Sequence, residues 1–363
     1  MRQVPNRYVV VVGGGIAGAA AAFELAEGGA PVVLVDDGRA GCATHAGAGI
    51  VAWPWQDATR PSFELRRRAC AFYPELAARI GARFEIVGEI LVAPPGGLLD
   101  EAEAALAGGA AGPVRRLDPG EARELFPYLA PELAALHVPS TARVRGEEIR
   151  DALRDAAGAA GAEVVSGRAE LERAGGTRWA VRIGGRRIGA DAVLAAAGAW
   201  SDAFTAPVGG RLAVAPQRGQ IIHFEVAEDT AAMCVVQPLD GEHYLLPFAG
   251  GRVVAGATRE SGSGFDPRLT AAGVAEVLGE ALRVAPGLAG ASVGELRVGL
   301  RPATPDGDPI LGPVPGCPGL WAITGMGPQG LTLAPYCGRL LADAILGREP
   351  ELGLAPFSAG RFD

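Results

Sequence analysis

The sequence contains no lysine. All 33 basic residues are arginine, and Asn6 is the single asparagine. No Schiff-base lysine and no lysine general base is therefore available. Cysteine is scarce and odd in number: Cys42, Cys70, Cys234, Cys317 and Cys337, with no CxxC pair. That usage predicts reduced, buried thiols in a cytoplasmic protein rather than a disulfide framework. The four histidines, His45, His137, His223 and His243, lack ligand spacing, so no metal site is expected. The net charge is −8, and the longest basic run is Arg66-Arg67-Arg68. A triplet in an acidic chain reads as a solvated helix face, which argues against a nucleic-acid partner. No segment reaches transmembrane length without Gly, Pro or charge, so no integral membrane segment is expected. The apolar stretch Tyr8–Ala26 lacks the basic flank of a signal peptide.

Glycine, by contrast, is abundant, with 54 residues in 363. Its most informative cluster is Gly13-Gly14-Gly15-Ile16-Ala17-Gly18. It follows the apolar run Tyr8–Val12 and opens the Ala-rich segment Ala19–Ala26. A second apolar run, Pro31–Val35, ends in Asp36 and Asp37. The order is strand, tight turn, helix, strand, acid. Such a turn brings backbone N–H groups to a pyrophosphate at a helix N-terminus. The third glycine lets helix and strand pack closely. Asp36 lies 23 residues after Gly13, placed to accept hydrogen bonds from a ribose. The pattern predicts a dinucleotide site, and FAD or NAD is decided by the rest of the chain.

Residues 61–80 read as a helix interrupted near Pro74, and 117–133 as short helical turns. Residues 147–160 read as a helix, 168–188 as β-hairpins, and 192–196 as a buried parallel strand. The pattern from 212 to 257 is β. Thr270 reads as the N-cap of a helix to Val284, Glu295–Leu300 as a strand ending before Arg301, and Leu320–Thr324 as another. A C-terminal helix opens at Gly330. The fold class is α/β with an α+β substrate domain. A Rossmann-like nucleotide domain of three segments (1–83, 145–211, 300–363) alternates with a β-rich domain (84–144, 212–299).

Four segments carry a resemblance: the Gly turn with Asp36, then Gly41–Ile50, then Ala196–Ser201, and last Gly299–Pro309 continuing to Thr324–Thr332. In order and spacing the chain resembles the FAD-dependent D-amino-acid oxidase/dehydrogenase superfamily, above all its glycine-oxidase and D-amino-acid-dehydrogenase branches. The resemblance implies a non-covalent FAD, contacted by Gly13, Gly15, Ile16, Ala17, Gly18, Asp36 and Asp37. It adds Ala43, Thr44, His45, Gly47, Ala48, Gly49, Ala169, Ala197, Gly198 and Trp200. Arg301, Gly325, Gly330, Leu331 and Thr332 complete the set. Gly47, Ala48 and Gly49 leave room for a flat ring, and Thr44 can donate to a phosphate. The helix start at Gly330 suits the pyrimidine of an anionic reduced flavin. Relatives with covalent flavin sometimes carry a histidine near His45, one residue out of register. The cysteine that anchors flavin in the sarcosine-oxidase branch is Gly299 here, and that branch's oxygen-activating lysine has no counterpart.

On the substrate side, Arg301 stands where family members bind the substrate carboxylate, and its fork suits that group. A structural ion pair with Asp306 or Asp308 is the alternative. Tyr244 matches a pocket tyrosine that can hold the second carboxylate oxygen. Arg218 reads at least as well as a backbone brace. The implied reaction is oxidative deamination of a small amino acid, D- or glycine-like. Hydride leaves Cα for flavin N5, giving an imino acid, then a 2-oxo acid and ammonia. Electrons pass on to oxygen or another acceptor. Sarcosine or secondary-amine oxidation, and a flavin subunit of a multi-subunit amine or opine-type dehydrogenase, are the alternatives. A homo-oligomer or flavoprotein complex is compatible with all of them.

Overall fold

A computed structural model describes residues 7–107, 111–176 and 178–362. The chain opens with strand Val9–Val12, helix Ile16–Glu27 and strand Val32–Asp36. The two valine-rich runs are buried almost throughout, as strands covered on both faces must be. Val9 pairs in parallel with Val32 on one side and Ala192 on the other. The resulting six-stranded sheet runs Ile310–Pro313, Leu320–Thr324, Ala192–Ala195, Val9–Val12, Val32–Asp36, Glu163–Ser166. Only the Ile310–Pro313 edge is antiparallel. Helices Ile16–Glu27, Pro61–Ile80, Gly146–Ala159 and Gly330–Ile345 share a core on one face. The meander Ala169–Gly175, Arg178–Ile183, Arg186–Ala190 covers the other. Small residues let the first and last of these helices touch: a Cβ on Gly338 would lie 2.7 Å from the Ala21 nitrogen.

The second sheet has nine strands from residues 89–138 and 215–303. Its longest pair is Ala215–Glu225 against Ser292–Ala303, antiparallel, with Gln217 opposite Arg301 and Gly219 opposite Gly299. On the other side of Ala215–Glu225 runs Arg252–Gly256, followed by Tyr244–Phe248. Helix Ala271–Val284 packs on this sheet, its N-terminus capped where Thr270 Oγ1 accepts from the Gly273 N–H (3.2 Å).

Two expectations change. The helix Pro61–Ile80 is continuous through Pro74. Phe72, Tyr73, Leu76 and Ala77 are buried on either side of the proline, and that packing outweighs the backbone hydrogen bond it removes. The strand read as ending before Arg301 runs on to Ala303, because Ala215–Gln217 continue the ladder and pair Pro216 with Pro302.

Candidate active site

The Gly turn and the C-terminal helix meet across one large cavity of about 780 Å³. Gly13, Gly15, Ile16 and Ala17 line it, as do Asp36 and Asp37 at the end of the second strand. Gly13 has φ +109°, and a Cβ there would collide with the Ala196 carbonyl, so only glycine fits. The Asp36 carboxylate lies against Gly14 and pairs with Arg154 (3.3 Å). The Ile16 N–H donates to the buried Thr44 Oγ1 (3.1 Å), joining the turn to the segment Ala43–Gly49.

Ala43, Thr44, Gly47, Ala48 and Gly49 line the cavity, with Ala169, Ala197, Gly198 and Trp200. Gly330, Leu331 and Thr332 close it from the C-terminal helix, which Thr332 ties to the Ile50 carbonyl (3.0 Å). A Cβ on Gly47 would lie 2.7 Å from Leu331 Cδ1. Trp200 stacks on the Phe265 ring (5.4 Å) and has the Arg39 guanidinium 5.2 Å from its ring centre.

Three expected residues stand elsewhere. His45 does not line the cavity. Its side chain is half exposed and its Nδ1 is 2.7 Å from Glu147 Oε1, because the short helix Ala43–Ala46 turns Thr44 and Ala46 inward and His45 outward. Gly18 also lies off the wall; it serves packing, since a Cβ there would collide with the Gly13 carbonyl. Gly325 (φ +78°) lies behind the wall, where a Cβ would be 2.5 Å from Thr304 Cγ2.

Arg301 and Tyr244 line the cavity from strands of the nine-stranded sheet. The Arg301 Nη1 donates to the Thr258 carbonyl (2.7 Å), and among the described residues the guanidinium pairs with no carboxylate. Asp306 pairs with Arg361 and Asp308 with Arg60, which removes the ion-pair alternative for Arg301. Burial pulls the Arg301 pKa below its ordinary value, yet an arginine stays cationic. Burial pushes the Tyr244 hydroxyl up to about 12, against the pull of Arg301 and Arg259, so it is a neutral donor. Arg218 is off the wall, paired with Glu260 (2.6 Å) and Asp266 (3.3 Å). It braces the neighbouring 260–268 segment, in keeping with the backbone-brace reading.

Sequence patterns pass over Arg259, Glu242 and Gln237, which also line the cavity. None lies in a motif; strand pairing brings them in. Arg66, read from the sequence as part of a solvated helix face, is instead half-buried on the cavity side of the helix Pro61–Ile80, its Nε donating to the Ala52 carbonyl (2.9 Å).

The wall fits a long dinucleotide bearing a flat ring. Two helices, Ile16–Glu27 and Gly330–Ile345, point N-termini into it; neither N-cap residue supplies a side-chain cap, neither first turn holds an acid, and Thr44 takes only the Ile16 N–H of the first. Each leaves free N–H groups and a partial positive charge for an anion. Glycines and alanines leave the space between them open.

A family profile described as FAD dependent oxidoreductase matches residues 8–344. The chain is similar to the uncharacterized oxidoreductase YurR of Bacillus subtilis, 39% identical over 96% of this chain and 97% of that one. It is 34% identical to glycine oxidase of Pseudomonas putida, covering 97% and 98%. Among solved structures it resembles iminodiacetate oxidase of Chelativorans, with TM-score 0.91 and 40% identity over 96% and 98%. With a cavity built for such a cofactor and this match from end to end, the chain belongs to the family of FAD-dependent oxidoreductases.

Proposed function

We propose that this enzyme oxidises the Cα–N bond of a small amino acid, glycine-like or of the D series, to an imino acid that water converts to a 2-oxo acid and ammonia. The observation that carries this is the pair Arg301 and Tyr244: a cation without a carboxylate partner beside a neutral phenol, on one wall of the cofactor cavity. Arg301 forks the substrate carboxylate and Tyr244 donates to its second oxygen. FAD, when bound, supplies the hydride acceptor. The Gly13–Ala17 turn and Thr44 hold its pyrophosphate, Asp36 and Asp37 its ribose, and Gly47–Gly49 make room for its ring. The N-terminus of the helix from Gly330 steadies negative charge on that ring. Arg301 and Tyr244 fix which face of Cα meets it, and no side-chain base is required, because positioning supplies much of the rate.

The division into a cofactor domain (1–83, 145–211, 300–363) and a substrate domain (84–144, 212–299) belongs to this proposal. The six-stranded sheet draws its strands from the first set of segments and the nine-stranded sheet from the second, save that the strand Ser292–Ala303 crosses the boundary at 299/300; this supports the division. A cytoplasmic location is part of it too, supported by five free cysteines. Among the described residues no helix is long and apolar enough to cross a membrane.

A secondary or N-alkyl amine is the second reading, favoured by the likeness to iminodiacetate oxidase. Anaerobic mixing with a panel of D-, L- and N-alkyl amino acids tests both. Bleaching of the flavin by at least one small member is expected, and a flavin left oxidised by all of them would contradict the proposal. Peroxide formed in air, against reduction of a dye alone, separates oxidase from dehydrogenase.

A further inference from the structure

The substrate wall holds a second guanidinium. Arg259 follows the strand Arg252–Gly256 and lines the cavity with Arg301 and Tyr244. It is next in sequence to Thr258, whose carbonyl receives the Arg301 Nη1. Both guanidiniums act on the Tyr244 hydroxyl, and Arg259 also acts on Arg301. Two like charges on one wall call for anions between or beside them.

At present Arg259 has a partner from the chain itself. Its Nε lies 2.7 Å from Glu242 Oε2. Glu242 sits in the turn before Tyr244, lines the same cavity, and is 63% exposed. Arg259 is 39% exposed. The pair therefore stands at the mouth, where an ion pair contributes little and opens readily. Arg301, by contrast, is fixed deeper, on the Thr258 carbonyl.

We propose that Arg259 binds a second carboxylate of the substrate in place of Glu242, so that this site takes short amino acids carrying two acid groups. The proposal rests on the reading of Arg301 and Tyr244 as the clamp for the first carboxylate. Exchange of one carboxylate for another keeps the Arg259 cation paired throughout, which avoids the penalty of a stranded charge. A substrate without a second acid leaves Arg259 on Glu242 and gains nothing from it.

The test uses inert ligands, so it does not depend on turnover. Glutarate and its monoamide, glutaramate, differ only in the charge of one end. Each is titrated into the FAD-loaded enzyme and read by the perturbation of the flavin spectrum. The wild type is expected to bind glutarate on the order of 10- to 100-fold tighter, the size of a charge-assisted against a neutral hydrogen bond. Arg259→Met brings the ratio near one, Arg259→Lys restores part of it, and Glu242→Gln tightens glutarate alone. Equal binding of the two ligands by the wild type, or an undiminished ratio in Arg259→Met, overturns the proposal. Arg301→Met is expected to weaken both ligands together. If it weakens neither while the Arg259 ratio stands, the first-carboxylate reading fails and the Arg259 site survives.

Discussion

The Arg301 guanidinium lies on the bare backbone of Gly219. A Cβ on that glycine would stand 2.5 Å from Nη2 and 2.6 Å from Cζ. The two residues sit on paired strands, one step diagonal in register. The obstructing atoms are the tip of a flexible side chain, so Gly219→Ala moves the guanidinium and leaves the fold intact. Loss of a charge-assisted hydrogen bond costs about 1.5–3 kcal/mol. Gly219→Ala is therefore expected to raise KM for the amino acid by about 10- to 100-fold, with flavin content unchanged. Steady-state kinetics beside the flavin absorbance checks it. An unchanged KM would show that Arg301 does not set substrate affinity from this position.

Tyr244 is expected to work as a neutral donor. Burial places its hydroxyl at about 12, above the ordinary tyrosine value. Tyr244→Phe should raise KM severalfold and leave the pH profile of kcat/KM unchanged in shape between pH 6 and 10. The sign follows from the direction: a raised folded-state value keeps the proton on below the unfolded value, and any linked stability is lost only as pH rises through it. A limb of the profile that vanishes in Tyr244→Phe would contradict this role.

His223 is expected to weaken the fold in acid. It is buried on Ala215–Glu225 with neither ring nitrogen hydrogen-bonded, and burial, with Arg297 adding to it, holds its pKa down to about 4. The unfolded chain binds this proton near pH 6.5, the native chain only near 4. Stability from this group is thus present above the unfolded value and lost as pH falls from about 6.5 to 4. The loss amounts to about 3 kcal/mol. In thermal unfolding followed across that window, His223→Leu is expected to flatten the fall in Tm. An equal fall in both proteins would remove His223 as its cause.

Flavin is expected to come away freely. His45 faces Glu147 outside the cavity, and position 299 is glycine, packed 2.8 Å (as a Cβ) from Ala46 Cβ and off the wall. Acid precipitation should leave all yellow colour in the supernatant. Colour retained in the protein pellet would place a covalent link that these residues do not provide.

The Gly13 turn is the point on which cofactor retention is most exposed. At φ +109° a side chain is strained, and a Cβ strikes the Ala196 carbonyl. Gly13→Val should purify with little or no FAD. Stoichiometric flavin in that variant would mean the turn does not shape the site.

The opening strand, turn, helix and acid were legible because local order alone dictates them. Gly13 through Asp36 form one βαβ unit with short connections. Thr270 was legible for the same reason: its cap reaches only three residues ahead. Arg259 and Gly219 were not. Their importance depends on which strands lie side by side, and the pairing of 215–225 with 252–256 and 292–303 spans scores of residues that no local pattern registers. The direction of His45 was not legible either: it neighbours Thr44 in sequence, while a single helical turn points the two in different directions. The continuous helix through Pro74 misled in the opposite sense, since tertiary packing overrode a local rule.

The central claim is that the Arg301 guanidinium holds the substrate carboxylate against the cofactor. It is tested most directly by the substrate concentration that half-saturates anaerobic flavin reduction in wild type, Arg301→Lys and Arg301→Met, each loaded with FAD. The expected result is a rise of about 100-fold or more in Arg301→Met, with a smaller rise in Arg301→Lys, which keeps the charge without the fork. Half-saturation at the same concentration in all three proteins would contradict the account.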